Sequence, residues 1–312
     1  MMLLGIMVLV VAACGSTDEA DEEKGNQDGD SEEAETVTVE HELGTTEVEK
    51  NPEKVVVFDF GTLDTLDKLG VDVVGVPQSN IPAYLDKYEG DDYENVGSLK
   101  EPDFEKIAEI DPDLILISGR QSEVYEELEE LADTVYLGVD TTRYMDSFNE
   151  NLAVIGEVFD KEDEVAEEQE QIEDAIASLQ EKAEDSGQNG LIILANDDKI
   201  SAYGPNSRFG LIHDVFGVEA TDEDIEASTH GMNVSFEYVV EKDPDLLYVV
   251  DRSAAIGEES AAENIVENEL VKKTDVYKND NITYLNPEFW YLSGGGLVSV
   301  TEMIEEIGAS LE

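Results

Sequence analysis

Apolar residues along this chain fall into two kinds of pattern. Val55 to Phe58, Leu114 to Ile117 and Leu246 to Val250 are unbroken apolar runs rich in β-branched side chains, which predicts short strands covered on both faces, as in a parallel sheet. The stretch from Met145 to about Asp185 has helical spacing instead. Lys161 to Asp185 contains neither Gly nor Pro and puts Val165, Ile172, Ile176 and Leu179 on one stripe, so it predicts a single amphipathic helix. At 1.5 Å per residue that helix would be roughly 38 Å long, enough to pass from one lobe to another. Its many acidic positions form the solvated face.

One of the strand patterns is present twice. Glu109-IDPDLILISG-Arg120 and Glu241-KDPDLLYVVD-Arg252 align without gaps at an offset of 132 residues, and upstream Phe104-Glu105 aligns with Phe236-Glu237. Pro112 and Pro244 end the helix before them, because the residue ahead of a proline is pushed out of helical geometry. A strand follows in each copy, then a loop opened by Arg120 or Arg252. The expectation is an α/β fold of two Rossmann-like lobes with parallel-rich sheets, joined by a long rigid helix. Its predicted limits are 36–144 for the N-terminal lobe, 145–186 for the helical connector and 187–312 for the C-terminal lobe. Ligands of open parallel sheets sit at the carboxyl ends of the strands, where both arginines fall.

Composition agrees with two cores and adds an anomaly. At 312 residues the chain exceeds the size at which one hydrophobic core stops growing, and 41% apolar residues can fill two. Against 77 acidic residues stand only 18 Lys and Arg, a formal charge of −59. Nucleic acid is excluded as a partner, since its phosphates would be repelled. The acids therefore coat a folded surface, and such a self-repelling coat is read as adaptation to a saline, halophilic setting, where ions screen it.

Met1 to Ala13 is uncharged, too short to span a membrane as a helix and suited to a signal-peptide core (residues 1–13). It runs into Val11-Ala12-Ala13-Cys14, which resembles a bacterial lipobox. Cys14 is the only cysteine, so an internal disulfide and a Cys-based zinc site are ruled out; its predicted use is as the lipidated anchor. The polar, acidic stretch after it, ending at residue 35, predicts a disordered spacer. Together these place the protein on the outer face of the cytoplasmic membrane.

Candidate chemistry lies in the scarce residues. Of the four arginines, Arg120, Arg208 and Arg252 follow apolar strand candidates, and a guanidinium is the cation to retain where an anion binds, since it keeps its charge and pairs with oxyanions bidentately. His41, His213 and His230 are too dispersed for a dedicated metal cage. His213 lies in an apolar helix and reads as a core or helix-face residue, whereas His230 lies in the polar loop Ser228-THGMN. Phe289-WYLSGGG-Leu297 sets Trp290, the only tryptophan, beside Tyr291 in a predicted loop and lacks the spacing of either nucleotide fingerprint. No paired nucleophile and base stands out, so the protein is not expected to be an enzyme.

Thr229-HGMNVSFEYVVEKDPDLLYVVD-Arg252 and Asn286-PEFWYLSGGG-Leu297 resemble the helix-linked substrate-binding lipoproteins of bacterial iron-siderophore ABC importers, in the subgroup that takes ferric catecholates such as petrobactin. The resemblance covers roughly Thr36 to Glu312. It implies a monomer that captures a ferric siderophore as ligand, with no permanent cofactor, and hands it to a permease. It also implies that Arg120, Arg208 and Arg252 meet catecholate oxygens with Trp290 beside them, that His230 and Tyr291 bind Fe3+ directly when the siderophore supplies four donors, and that Glu105 and Glu237 dock on the permease. The rival readings are haem or cobalamin as cargo in the same fold, and an acidic surface lipoprotein without transport.

The charge makes a first prediction. The melting temperature should rise between about 0.1 M and about 2 M KCl, as the Debye length falls from about 10 Å to below about 3 Å. A flat or falling curve would remove the saline reading.

Overall fold

Successive residues of a strand point to opposite faces, and in this protein both faces of each central strand are covered, which is why their sequences read as unbroken apolar runs. In the first sheet Val55, Val57, Leu114 and Leu116 enter one core while Val56, Phe58, Ile115 and Ile117 enter another. In the second, Leu246, Tyr248 and Val250 join the first of these cores, and Leu247 and Val249 a third. The computed structural model describes residues 35–311 apart from Asp198, Ser260 and Ala261. The expected signal segment, Cys14 and nearly all of the spacer lie outside the described residues.

The chain enters through a hairpin, β1 (Thr36–His41) and β2 (Gly44–Glu49). The first lobe is then built on β3 (Val55–Val57), β4 (Gly75–Val76), β5 (Glu94–Asn95), β6 (Leu114–Ile117) and β7 (Asp133–Tyr136), all parallel in the order β5-β4-β3-β6-β7. Helices α1 (Phe60–Lys68), α2 (Phe104–Ile110) and α3 (Tyr125–Glu129) alternate with them. Two helices connect the lobes, α4 (Tyr144–Val158) and α5 (Glu162–Ser186). The apolar stripe expected on α5 is buried at Val165, Ile172, Ile176 and Leu179.

The second sheet contains β8 (Asn189–Asn196), β9 (Lys199–Tyr203), β10 (Glu219–Ala220), β11 (Met232–Val234), β12 (Leu246–Asp251) and β13 (Ile282–Leu285). Its order is β11-β9-β8-β12-β13 with β10 also on β8; β9 and β11 run antiparallel to their neighbours and the rest are parallel. Helices α6 (Leu211–Asp214), α7 (Phe236–Lys242), α8 (Arg252–Ala255), α9 (Ala262–Val266), α10 (Asp275–Lys278) and α11 (Leu297–Ser310) complete it.

The repeat has a conformational cause. Asp111 and Asp243 end α2 and α7 in the left-handed region, at φ 52° and 45°, and each precedes the proline that stops the helix. Asp tolerates that region better than most residues. One expectation needs correcting: Arg252 does not open a loop but the short helix α8, because the Asp251 carboxylate accepts the Ala254 N–H and nucleates a turn directly off the strand.

The lobes share a frame at α1 and α11. Gly61 and Gly296 touch backbone to backbone, and a β-carbon on either would collide, with the Ser293 carbonyl in one case and the Gly61 carbonyl in the other. Asp64, fully buried on α1, accepts the N–H groups of Val298 and Ser299 at 3.2 and 3.1 Å, while Thr65 Oγ1 accepts that of Leu297 at 3.1 Å. These are orphan donors of the first turn of α11. Tyr84 completes the knot, its hydroxyl 3.1 Å from Asp64 Oδ2 and 2.7 Å from Ser293 Oγ.

Burial pushes the Asp64 carboxyl from 3.8 up to about 7, against hydrogen bonds from Ser299, Val298 and Tyr84 that favour the charge. A folded-state value above the unfolded one means that the native protein binds this proton more tightly. The stabilisation is full below about pH 4 and lost as pH rises to about 7. In urea unfolding, wild type should therefore lose roughly 4 kcal/mol relative to Asp64→Asn across that window. Parallel curves for the two proteins would show that Asp64 does not titrate there.

Candidate functional site

In the first sheet the strand order turns back between β3 and β6, and a crevice at the carboxyl ends of strands is where such a sheet takes a ligand. Asp59 follows β3, Gly119 and Arg120 follow β6, and Gly138 follows β7; all four line one cavity of about 520 Å³. The second lobe closes it with Arg208, His230 and Tyr291. A cavity of about 670 Å³ along β11 and α7 is larger, but it is lined by Glu237 and Glu269 with Lys199 as its one cation. The arginine-bearing cleft is the one equipped for an anion.

Tyr291 is the meeting point. It sits on a π-helical turn, Glu288–Ser293, closed by Gly294 N–H donating to the Phe289 carbonyl at 2.8 Å. Arg120 donates to the Tyr291 carbonyl at 2.7 Å and Arg208 to the same oxygen at 2.9 Å. Arg208 also lies 4.2 Å from the centre of the Tyr291 ring, a cation–π contact. Arg252 does not line the cavity. Its guanidinium donates to Asn196 Oδ1 at 3.0 Å and lies close enough to the Tyr291 phenol to act on it.

The electrostatics follow from this crowding. Burial, with Arg208 nearby, holds the Arg120 guanidinium below its ordinary value although Asp59 opposes the shift. Burial would raise the Tyr291 phenol, but the charge of Arg208 and the hydrogen bond and charge of Arg252 outweigh it, leaving the phenol below its usual 10. Nine other tyrosines are pushed up by burial. The fourth arginine, Arg143, is instead spent on surface pairs with Glu150 and Asp140.

His230 is exposed at the cavity, beside Thr229. Its loop is fixed by Gly231, at φ 72°, which packs so closely on the Tyr203 ring that a side chain there would collide. Trp290 departs from the predicted exposed loop: it is 4% exposed and donates its indole N–H to Glu306 at 2.7 Å, because the π turn rolls it into the core. It contributes wall. His213 is half-buried, with Nδ1 donating to the Val218 carbonyl at 2.8 Å. Glu105 and Glu237 are exposed second residues of α2 and α7, away from the cavity.

Two charged lining residues escaped the sequence reading, Lys100 and Asp59. Each had a signal: Asp59 directly follows a strand run, and Lys100 lies two residues past Ser98, the repeat equivalent of His230. In alkaline absorbance titration of the ligand-free protein, one phenol should ionise ahead of the others. That early step should vanish in Tyr291→Phe and move upward in Arg208→Ala; an unchanged step in both would mean that the arginines do not act on Tyr291.

Comparison with known proteins identifies the architecture. The petrobactin-binding protein YclQ of Bacillus subtilis is 52% identical over 311 residues, spanning 98% of this chain and 96% of that protein. Its crystal structure superposes with a TM-score of 0.88, covering 89% of this chain and 99% of that one at 56% identity. The periplasmic catecholate-siderophore binding protein VctP of Vibrio cholerae superposes at 0.84, with 36% identity, 88% of this chain and all of the other covered (100%). Residues 55–289 match the family model described as periplasmic binding protein, and with the two-lobed α/β fold and its interlobe cleft, the chain belongs to that family.

Proposed function

We propose that the chain captures a ferric catecholate siderophore of the petrobactin type outside the cytoplasmic membrane and delivers it to the permease of an ABC importer. The observation that carries this reading is the convergence of Arg120 and Arg208 on the Tyr291 carbonyl, beside a phenol held below its ordinary value, in a chain of charge −59. Such a cleft suits an oxyanion ligand. The ligands for which the relatives are named, petrobactin and catecholate siderophores, support the same class.

Iron arrives as part of the cargo. Ferric iron is hard and favours phenolate oxygen, with imidazole an acceptable partner, so Tyr291 and His230 complete its shell when the siderophore supplies four donors. Arg120 and Arg208 meet the anionic oxygens, Lys100 adds positive charge at the rim, and Arg252 acts through the Tyr291 phenol. Trp290 backs the wall. For delivery, Cys14 carries the lipid anchor of a monomer, and Glu105 and Glu237 dock on the permease. Their equivalence in the repeat and their exposure outside the cleft support a role in docking. No helix among the described residues is long and apolar enough to cross a membrane.

Binding titrations with ferric siderophores test the proposal. Each of Arg120→Ala, Arg208→Ala and Arg252→Ala should weaken ferric catecholate binding by about 1.5 to 3 kcal/mol, roughly ten- to over a hundredfold. Tyr291→Phe and His230→Ala should lose affinity for a tetradentate complex and alter its visible charge-transfer band, yet change a hexadentate complex little. Wild-type affinity in all three arginine variants would refute the anion site. Equal effects on both complexes would refute coordination. In cells, Glu105→Ala/Glu237→Ala should slow uptake with affinity intact, and Cys14→Ala should leave the membrane fraction.

A further inference from the structure

With 77 acidic side chains against 18 Lys and Arg there are too few cations to pair most carboxylates, so one turned inward with both oxygens engaged stands apart. Glu306 on α11 is one. Its Oε1 accepts the Asn286 N–H at 2.9 Å and its Oε2 accepts the Trp290 indole N–H at 2.7 Å. Asn286 in turn starts the π turn, its side chain accepting the Glu288 N–H at 3.0 Å and its carbonyl those of Phe289 and Trp290 at 3.2 and 3.1 Å. Glu306 therefore grips the chain just ahead of the turn, at Asn286, and again within it at Trp290, immediately before Tyr291.

We propose that Glu306 is the positioning residue for Tyr291: it ties the π turn to α11, and so sets the phenol and carbonyl of Tyr291 against the arginines of the cleft. The frame is complete, because α11 is itself held on α1 by Asp64 and Thr65. Trp290 is the transmitting part. Being 4% exposed and anchored through its ring, it leaves the next residue little freedom about the backbone. The role of the positioned phenol rests on the coordination reading above; the positioning itself does not.

Glu306→Gln keeps one acceptor oxygen but turns a donor toward either Asn286 N–H or the indole. The ligand-free crystal structure of this variant should show the Tyr291 ring displaced from Arg208, which lies 4.2 Å from its centroid in the wild type. Affinity for a tetradentate ferric catecholate should drop roughly tenfold with a shifted charge-transfer band, while a hexadentate complex stays within about twofold. Emission of the sole tryptophan should shift as its carboxylate partner is lost. Trp290→Phe, which removes the same bond from the other side, should reproduce the selectivity change if Glu306→Gln fails to fold. A ring that stays on Arg208 overturns the proposal. So does a displaced ring with unchanged selectivity when Tyr291→Phe is selective. A displaced ring when Tyr291→Phe itself is unselective upholds the positioning and sinks only the coordination reading.

Discussion

Two guanidinium groups from different lobes donate to one carbonyl oxygen, that of Tyr291, and this sharing governs how the cleft is built. Arg120 and Arg208 carry like charges, and that repulsion adds to the burial that holds Arg120 below its ordinary value. Something negative has to lie between them. The last carbonyls of a helix have no partner within it, and the π turn ends so that those of Tyr291 and Leu292 face the cleft; Arg120 reaches both. The turn thus supplies a partial charge from the backbone instead of a carboxylate. Neither of the two arginines that line the cleft takes part in an ion pair among the described residues, so each retains donors for an incoming oxyanion.

That arrangement requires the turn to stay registered with both lobes at once. The Gly61–Gly296 contact, the Asp64 and Thr65 bonds and Tyr84 fasten the chain around the turn to the first lobe, although it belongs in sequence to the second. Packing points the same way. A single hydrophobic core runs from Val55 and Phe60 through Phe148 and Ile172 to Tyr248 and Ile304. Separating the lobes would open that core as well as the cleft, at about 25 cal/mol for each Å² of apolar surface exposed.

The parts of this design that are local were legible in the sequence. The buried strands announce themselves by unbroken apolar runs, the connector helix by the spacing of Val165, Ile172, Ile176 and Leu179, and the duplicated unit by Asp111-Pro112 and Asp243-Pro244, where a left-handed cap and a proline act over adjacent residues. What stayed hidden depends on partners far away in the chain. Trp290 reads as an exposed aromatic until Glu306 is found accepting its indole N–H, and Arg252 reads as equivalent to Arg120 until it is found acting on the Tyr291 phenol and absent from the cavity lining. Asp64 gave no signal, since one buried carboxylate cannot be told by composition from the many that face solvent.

The same acidic background explains why the scarce cations are divided as they are. Lysines such as Lys50, Lys106 and Lys242 pair with Asp160, Glu94 and Asp222 at the surface, where an ion pair contributes little and salt weakens it further. Two of the four arginines line the cleft, and a third, Arg252, acts on its tyrosine. At a distance, an anionic ligand meets a surface of its own sign, and that repulsion is cut off beyond a Debye length of about 8 Å at physiological ionic strength. Within that range the field is set by the nearest charges, and low-dielectric walls strengthen them. A protein can therefore carry −59 overall and still hold an anion, provided its few fixed cations are gathered at one cleft, left out of ion pairs and oriented by a backbone that does not neutralise them. The π turn meets that last condition by presenting carbonyls in place of side-chain charges.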